Sequence, residues 1–190
     1  ARAHVYDAGS QAYYGTVEEG EGTAIVTVRV RVENGALTEA EWYLARADDP
    51  GLRGERQPGG PPANLHNPEY LAENPPPQRI VPPNERADRA TLVRIVNSYF
   101  DAITSHDGSI ALTHPGCGRV ENGSPAPAGQ FLPPIARPGQ PPPGQSTQPG
   151  QPGVASNDCV SSLENFNLSM VVAQRVPLVD VEAQVVLAYA

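Results

Sequence analysis

The chain has 190 residues, of which 22 are Pro and 18 Gly, and its apolar fraction is only 39%, below the roughly 45–50% of ordinary globular chains. Its 21 acidic and 13 basic side chains leave a net charge of −8, which argues against a nucleic-acid partner, because phosphate binding needs clustered positive charge. All 13 basic residues are Arg, and no apolar run approaches the about 20 residues that a membrane-spanning helix needs.

Residues 1–47 read as a β-meander. The first hairpin turns at Asp7-Ala8-Gly9-Ser10, with residues 11–17 as the returning strand. Residues 23–46 then alternate apolar and polar around Asn34-Gly35, a strong hairpin signal. Two registers compete. A two-residue turn sets Val30 against Glu39 and Val28 against Glu41, mixing carboxylates with valines. A three-residue loop, Glu33-Asn34-Gly35, sets Arg29 against Glu39, Val28 against Ala40 and Val26 against Trp42. The second is preferred, because a one-residue slip inverts the faces of a strand. It predicts a buried face of Val26, Val28, Val30, Val32, Ala40, Trp42 and Leu44. Arg29, Arg31, Glu39, Glu41 and Tyr43 take the opposite face, where cross-strand Arg–Glu pairs are ordinary sheet support.

Residues 48–83 form a Pro-rich linker, and 125–153 a second irregular stretch of Pro, Gly, Gln and Ala. Proline lacks a backbone donor, so neither is expected to form a regular helix or sheet interior. Polyproline segments, ordered surface loops and a solvated linker all fit this composition.

Residues 84–190 carry the remaining structure. Asn84 is the expected N-cap of a helix, with Glu85 and Asp88 in its first turn. Leu92, Ile95, Val96, Tyr99, Phe100 and Ile103 recur at helical spacing. The helix is expected to close at His106-Asp107-Gly108, with Gly108 past its end. A short strand over 118–122 follows. Residues 163–179 read as a strand with a short helical entry, 180–183 as a turn and 184–190 as a last strand. Arg2, Asp7 and Gln11 are echoed by Arg175, Asp180 and Gln184 at a constant shift, a weak internal repeat in a strand–turn–strand context.

Chemical motifs are sparse. His4, His66, His106 and His114 have no metal-ligand spacing, so neither a metal nor a cofactor is expected. Nucleophile-elbow, P-loop and dinucleotide-binding patterns are missing from the sequence. Cys117 and Cys159 flank the second irregular stretch, which suggests a disulfide tying off that loop; two reduced, buried thiols are the alternative. Asn122-Gly123-Ser124 and Asn167-Leu168-Ser169 match the N-glycosylation pattern, making Asn122 and Asn167 candidates. A first residue other than Met fits a processed, exported chain and equally an excised fragment.

A helix ending in His106-Asp107, then Cys117-x-Arg119-Val120-Glu121-Asn122-Gly123, Cys159 and Arg175-x-Pro177-Leu178-Val179-Asp180 together resemble an uncharacterised secreted family with a SnoaL-like fold. That fold belongs to the nuclear-transport-factor-two-like, cystatin-like rolls. The stretch from Val28 to Glu41 is similar to the closing hairpin of such a domain. The resemblance implies an α+β fold, a curved antiparallel sheet packed on one main helix, with a conical pocket. It implies no settled activity, since relatives include isomerases, cyclases, dehydratases and non-enzymatic binders. Here the closing hairpin precedes the helix. Each half therefore exposes an apolar sheet face that must be covered, within one chain or by a neighbouring copy.

The favoured expectation is a non-enzymatic extracellular module that joins copies of itself head to tail by strand complementation, as in a filament. The alternative is a pocket enzyme performing proton transfer on a small organic substrate. Asp101, His106 and Asp107 would then be its acid/base candidates, Arg119 and Glu121 would support them, and Tyr99 and Trp42 would line the pocket. A small-molecule or glycan binder using Trp42, Tyr13, Tyr14 and Tyr43 is the third reading.

Overall fold

The computed structural model describes residues 2–7, 9–20, 22–50, 65–76, 79–114, 117–125, 159, 163 and 170–190. Of the irregular stretch expected over 125–153 only Pro125 is described, and the sequon residue Asn167 lies outside the described residues. The fold is α+β, with antiparallel sheets and one main helix. The chain divides into two compact units. The first contains residues 1–97, 120–124 and 172–190; the second contains 98–119 and 125–171.

The first unit is built on a four-stranded meander, β1 (Arg2–Asp7), β2 (Ser10–Glu19), β3 (Gly22–Glu33) and β4 (Ala36–Ala45), paired in chain order. The β1–β2 connection is the expected one, with Asp7 opposite Ser10. The β3–β4 register is a correction. Asn34 and Gly35 have φ of 52° and 77°, so they form a two-residue turn with Glu33 opposite Ala36. Left-handed residues at both turn positions match the twist of paired strands. A register shift then follows, from Val32 opposite Leu37 to Arg31 opposite Glu39, and it leaves Thr38 as the extra residue of a bulge. Beyond it Arg29 faces Glu41, Val28 faces Trp42 and Val26 faces Leu44. The bulge restores the parity that the short turn removes. Side chains beyond the bulge therefore divide between the faces as expected, while each cross-strand pair there is displaced by two residues.

Coverage departs from the expected one on both faces, although Val28, Val30 and Leu44 are half-buried and Tyr43 on the charged face is exposed. Val26 is buried, but Val32 and Ala40 are exposed and Trp42 is 73% exposed. Arg29, on the charged face, is only 3% exposed. The cause is a hairpin from the other end of the chain, β5 (Arg175–Asp180) and β6 (Val185–Tyr189). Leu178 of β5 packs on Ala12, the residue opposite Arg29, with Val185 and Leu187 beside it. The N-terminal meander and the C-terminal hairpin thus meet within one chain.

Backbone and side-chain hydrogen bonds latch this hairpin in place. Asp7 accepts from the amide of Val179 at 2.9 Å and from Nη1 of Arg89 at 2.7 Å. Val81 N–H donates to the carbonyl of Glu182. The Gln184 amide binds both backbone groups of Ala87, donating to its oxygen at 3.0 Å and accepting from its nitrogen at 2.8 Å. Gln184 sits in the turn with φ of 57°, whereas Gln11 lies within β2 opposite Tyr6. The sequence echo therefore holds for Arg2 and Arg175, which open their strands, and for Asp7 and Asp180, which close them, but not for the glutamines.

A short helix, α1 (Pro68–Glu73), lies within the stretch expected to be irregular. Proline at its first position gives up an amide that has no helical partner anyway. The Asn67 side chain accepts from Tyr70 N–H at 2.9 Å and caps the helix. Asn67 N–H in turn donates to the carbonyl of Asn122 at 2.9 Å. Asn122 and Gly123, with φ of 43° and 78°, form the turn between the two-residue strands Val120–Glu121 and Ser124–Pro125. A Cβ on Gly123 would stand 2.1 Å from the Asn67 oxygen, so this position requires glycine.

The main helix, α2 (Arg89–Ser105), starts later than expected. Its cap is Asp88, whose carboxylate accepts from Thr91 N–H at 2.7 Å; Asn84 lies instead in a one-turn 3-10 helix, Pro83–Glu85. At the other end His106, not Gly108, takes the left-handed conformation, with φ of 53°. His106 N–H reaches the Ile103 carbonyl and Asp107 N–H reaches that of Ala102, the pair of bonds that defines a Schellman motif. In the second unit Ala102, Ile103, Ala111 and Leu163 form a buried cluster flanked by Tyr99 and Val171.

Candidate functional site

Three features of the structure bear on function: the residues proposed for acid/base chemistry, the ion network on the covered face of the sheet, and the surfaces that remain open.

Asp101 is exposed on α2 and His106 is half-buried at its left-handed terminus. Asp107 is exposed, and its Oδ1 accepts from Ser109 Oγ at 2.6 Å and from Ser109 N–H at 2.9 Å. The hydroxyl bond, reinforced by the amide, holds this carboxyl below the usual carboxylate range. These two bonds cap the one-turn helix Gly108–Ile110. Asp101, His106, Asp107 and Arg119 belong to the second unit, and Glu121 to the first. Tyr99 packs on the cluster around Ala102 and meets Phe100 edge-on at 6.0 Å.

Cys117 and Cys159 form a disulfide, with Cα atoms 5.6 Å apart and 42 residues separating them. Cys159 N–H also donates to the Cys117 carbonyl. Asn122 is half-buried on its turn. No helix among the described residues is long and apolar enough to cross a membrane.

The densest cluster of charge lies on the covered face of the sheet. Buried Arg29 bonds Glu39, reaches Glu41 through Nε at 2.5 Å and Ser10 Oγ through Nη1 at 3.5 Å. Arg175 of β5 reaches the same Glu41 at 2.5 Å and Tyr43 Oη at 3.4 Å. Its guanidinium also stacks over the Tyr189 ring, 4.4 Å from the centroid, and Tyr189 packs on Tyr43 at 4.6 Å. The Arg175 hydrogen bond opposes the effect of burial and, with help from Arg29, holds the Glu41 carboxyl below its ordinary range. Burial by itself would lower the Arg29 pKa, but the bonds to Glu39 and Glu41 outweigh it and leave that value raised. Burial pushes the Tyr189 phenol up. Each guanidinium faces carboxylate, and each carboxylate faces guanidinium, so the cluster joins two hairpins.

Arg175, Tyr189 and Ser10 were not foreseen as partners of the sheet's charged face. Arg175 stands in the conspicuous run Arg-x-Pro-Leu-Val-Asp, but its partner Glu41 is 134 residues away, and pattern alone does not pair residues at that distance.

Two surfaces of the first unit remain open. On the uncovered face, Trp42 and Leu37 are 73% and 62% exposed, beside exposed Val32. Trp42 and Leu37 lie on β4, the last strand of the sheet among the described residues, and Val32 on neighbouring β3. On the covered face, a cavity of about 220 Å³ opens between β2, β3 and β6. Ala12, Tyr13, Tyr14 and Thr27 form one wall, Val185, Val186 and Leu187 another, and Pro76 a third.

The family described as "Domain of unknown function (DUF8021)" matches residues 85–190. That is more than half of the chain, and the chain belongs to this family. The four-stranded meander precedes the matched region. No curated protein matches the chain, and no solved structure does.

Proposed function

We propose that this member of the DUF8021 family is a non-enzymatic, extracellular interaction module that associates with copies of itself through the β4 edge of its sheet. One observation carries the reading: Trp42, Leu37 and Val32 form an uncovered apolar strip alongside the strand that ends the sheet. Contiguous exposed apolar surface on a folded protein marks contact sites. An edge strand offers unpaired backbone groups to another strand. Residues 36–45 contain neither Lys nor Pro, the residue types that commonly guard such edges, although the Thr38 bulge limits pairing near the turn. Glu39 and Glu41 already face Arg29, Arg31 and Arg175, so two β4 strands can approach without opposing bare carboxylates. Pairing of β4 with β4 of a second copy is self-complementary and closes as a dimer; a filament needs a second, different contact.

The extracellular assignment rests on the disulfide, since such bonds persist in oxidising compartments and are rare in the cytosol. A cystatin-like roll of the SnoaL kind is the finer fold proposed, supported by the α+β content and the 17-residue helix. The cavity between β2, β3 and β6 lends proton-transfer chemistry no support, because it is lined by none of Asp101, His106, Asp107, Arg119 and Glu121.

Sedimentation velocity over a concentration series tests the association. The native chain should pass from monomer to dimer, and Trp42→Glu should remain monomeric. A native chain that stays monomeric up to about 0.1 mM, the weak end of specific association, would defeat the reading. Growth into polydisperse species would establish the head-to-tail arrangement in its place.

A further inference from the structure

We infer that the cavity between β2, β3 and β6 is a binding site for a small, neutral, mostly apolar molecule with one hydrogen-bond-accepting oxygen, of the size of an aromatic ketone. Its volume of about 220 Å³ exceeds the roughly 150 Å³ that suffices elsewhere to hold benzene. The sheet side is floored by small residues, Ala12 and Thr27, where larger side chains would close the space. The hairpin side presents Val185 and Leu187, and Pro76 adds a rigid apolar wall. No charged side chain lines the cavity among the described residues. An ionised ligand would therefore lose hydration there without gaining a counter-charge.

Two of the lining residues, Tyr14 and Thr27, carry hydroxyls available for a polar contact. Neither Tyr14 Oη nor Thr27 Oγ1 takes part in a hydrogen bond among the described residues, whereas Tyr13 Oη is committed to the Thr16 carbonyl at 3.2 Å. Burial pushes the Tyr14 phenol up, which keeps it a neutral donor at physiological pH. Tyr14 is half-buried. A few aimed polar groups in a mainly apolar concavity are the usual anatomy of a small-molecule site. The proposal does not depend on association through β4, because Trp42, Leu37 and Val32 lie on the opposite face of the sheet.

The test is a titration of the full chain with acetophenone, followed by amide shifts in two-dimensional NMR, with benzoate as the charged analogue of similar size. Acetophenone should give saturable shifts concentrated in β2, β3 and β6, and benzoate should bind at least about tenfold more weakly. Tyr14→Phe should weaken acetophenone about five- to tenfold, the worth of one hydrogen bond, and Thr27→Leu should abolish binding by filling the space. Intermolecular NOEs from the acetophenone ring to the Val185 and Leu187 methyls of the native chain are expected, and they decide the matter even if Thr27→Leu does not fold. The proposal is overturned by non-saturable shifts, by equal affinity for benzoate, by retained affinity in folded Thr27→Leu, or by missing NOEs to those methyls.

Discussion

The two units of this chain are held together by different means. In the second, a small apolar cluster around Ala102 and Leu163 is accompanied by a covalent tie between Cys117 and Cys159. In the first, β5–β6 is fastened to the meander by Leu178 on Ala12, the Arg29–Glu41–Arg175 network and the Asp7 and Gln184 latches. Apolar area is scarce in a sequence this rich in Pro and Gly. The contrast shows two ways of supplementing it: a covalent link that restricts the unfolded chain, and polar groups paired closely enough to tolerate burial.

The sharpest way to break the contrast is to remove the disulfide. Replacing both Cys117 and Cys159 by Ser should cost about 4 kcal/mol, the loop-closure value for a separation of this length. Denaturant unfolding measures the loss, and faster amide exchange in the second half of α2 should accompany it. Little change in exchange is expected in β2 and β3, and uniform acceleration of both units would refute the division drawn here.

Arg29→Ala comes next, at about 3 kcal/mol, because it leaves Glu39 and Glu41 without their buried partner. Arg29→Met should cost less, since an apolar side chain of similar length fills the space without demanding a counter-charge. Equal losses for the two variants would show that ionic pairing, not packing, accounts for the effect. Gln184→Ala should cost about 1–2 kcal/mol, as it strands both backbone groups of Ala87. That loss should appear as earlier opening of β5–β6 in hydrogen exchange.

The smallest effect concerns pH. Arg175, assisted by Arg29, lowers the folded-state pKa of Glu41 below its unfolded value. Its stabilising contribution is therefore complete above the ordinary glutamate range near about 4.3 and disappears as pH falls through the folded value. Glu41→Gln should be less stable than the native chain at neutral pH, and the gap should narrow on acidification. A gap that widened with acid would reverse the sign of this linkage. Because Glu41 is partly exposed, added salt should also narrow it.

Much of the local structure was legible in the sequence. The meander follows from alternation in residues 23–46 and from the Asn34-Gly35 turn, and the main helix from the spacing of Leu92, Tyr99 and Ile103. The pairing of Cys117 with Cys159 was one of two readings their spacing allowed. Local competition explains several misses. Asp88 is as good a cap as Asn84 and stands directly before the first helical residue. His106 adopts a left-handed conformation that Gly108 would accept more readily, because the Schellman bonds to Ile103 and Ala102 form at that position. Helix α1 was hidden by surrounding prolines, although Asn67-Pro68 is a good starting signal. The Thr38 bulge has no distinctive residue signature, so the hairpin register was out of reach. Of the residues named for a small-molecule or glycan binder, Tyr13 and Tyr14 line the cavity and Trp42 and Tyr43 do not; nothing local indicated that residues 185–187 would form the opposite wall.

Periodicity and turn chemistry assign residues to strands, helices and faces, because those choices depend on neighbours a few positions away. They do not decide which face of the sheet is covered. That choice required a hairpin more than a hundred residues downstream, whose Leu178 fits Ala12 and whose Arg175 completes the charge balance around Glu41. Only the assembled chain could show that Arg29 is buried while Trp42 is exposed. Dehydrating an ion there is unfavourable until opposite charges, backbone bonds and packed side chains from distant segments arrive together.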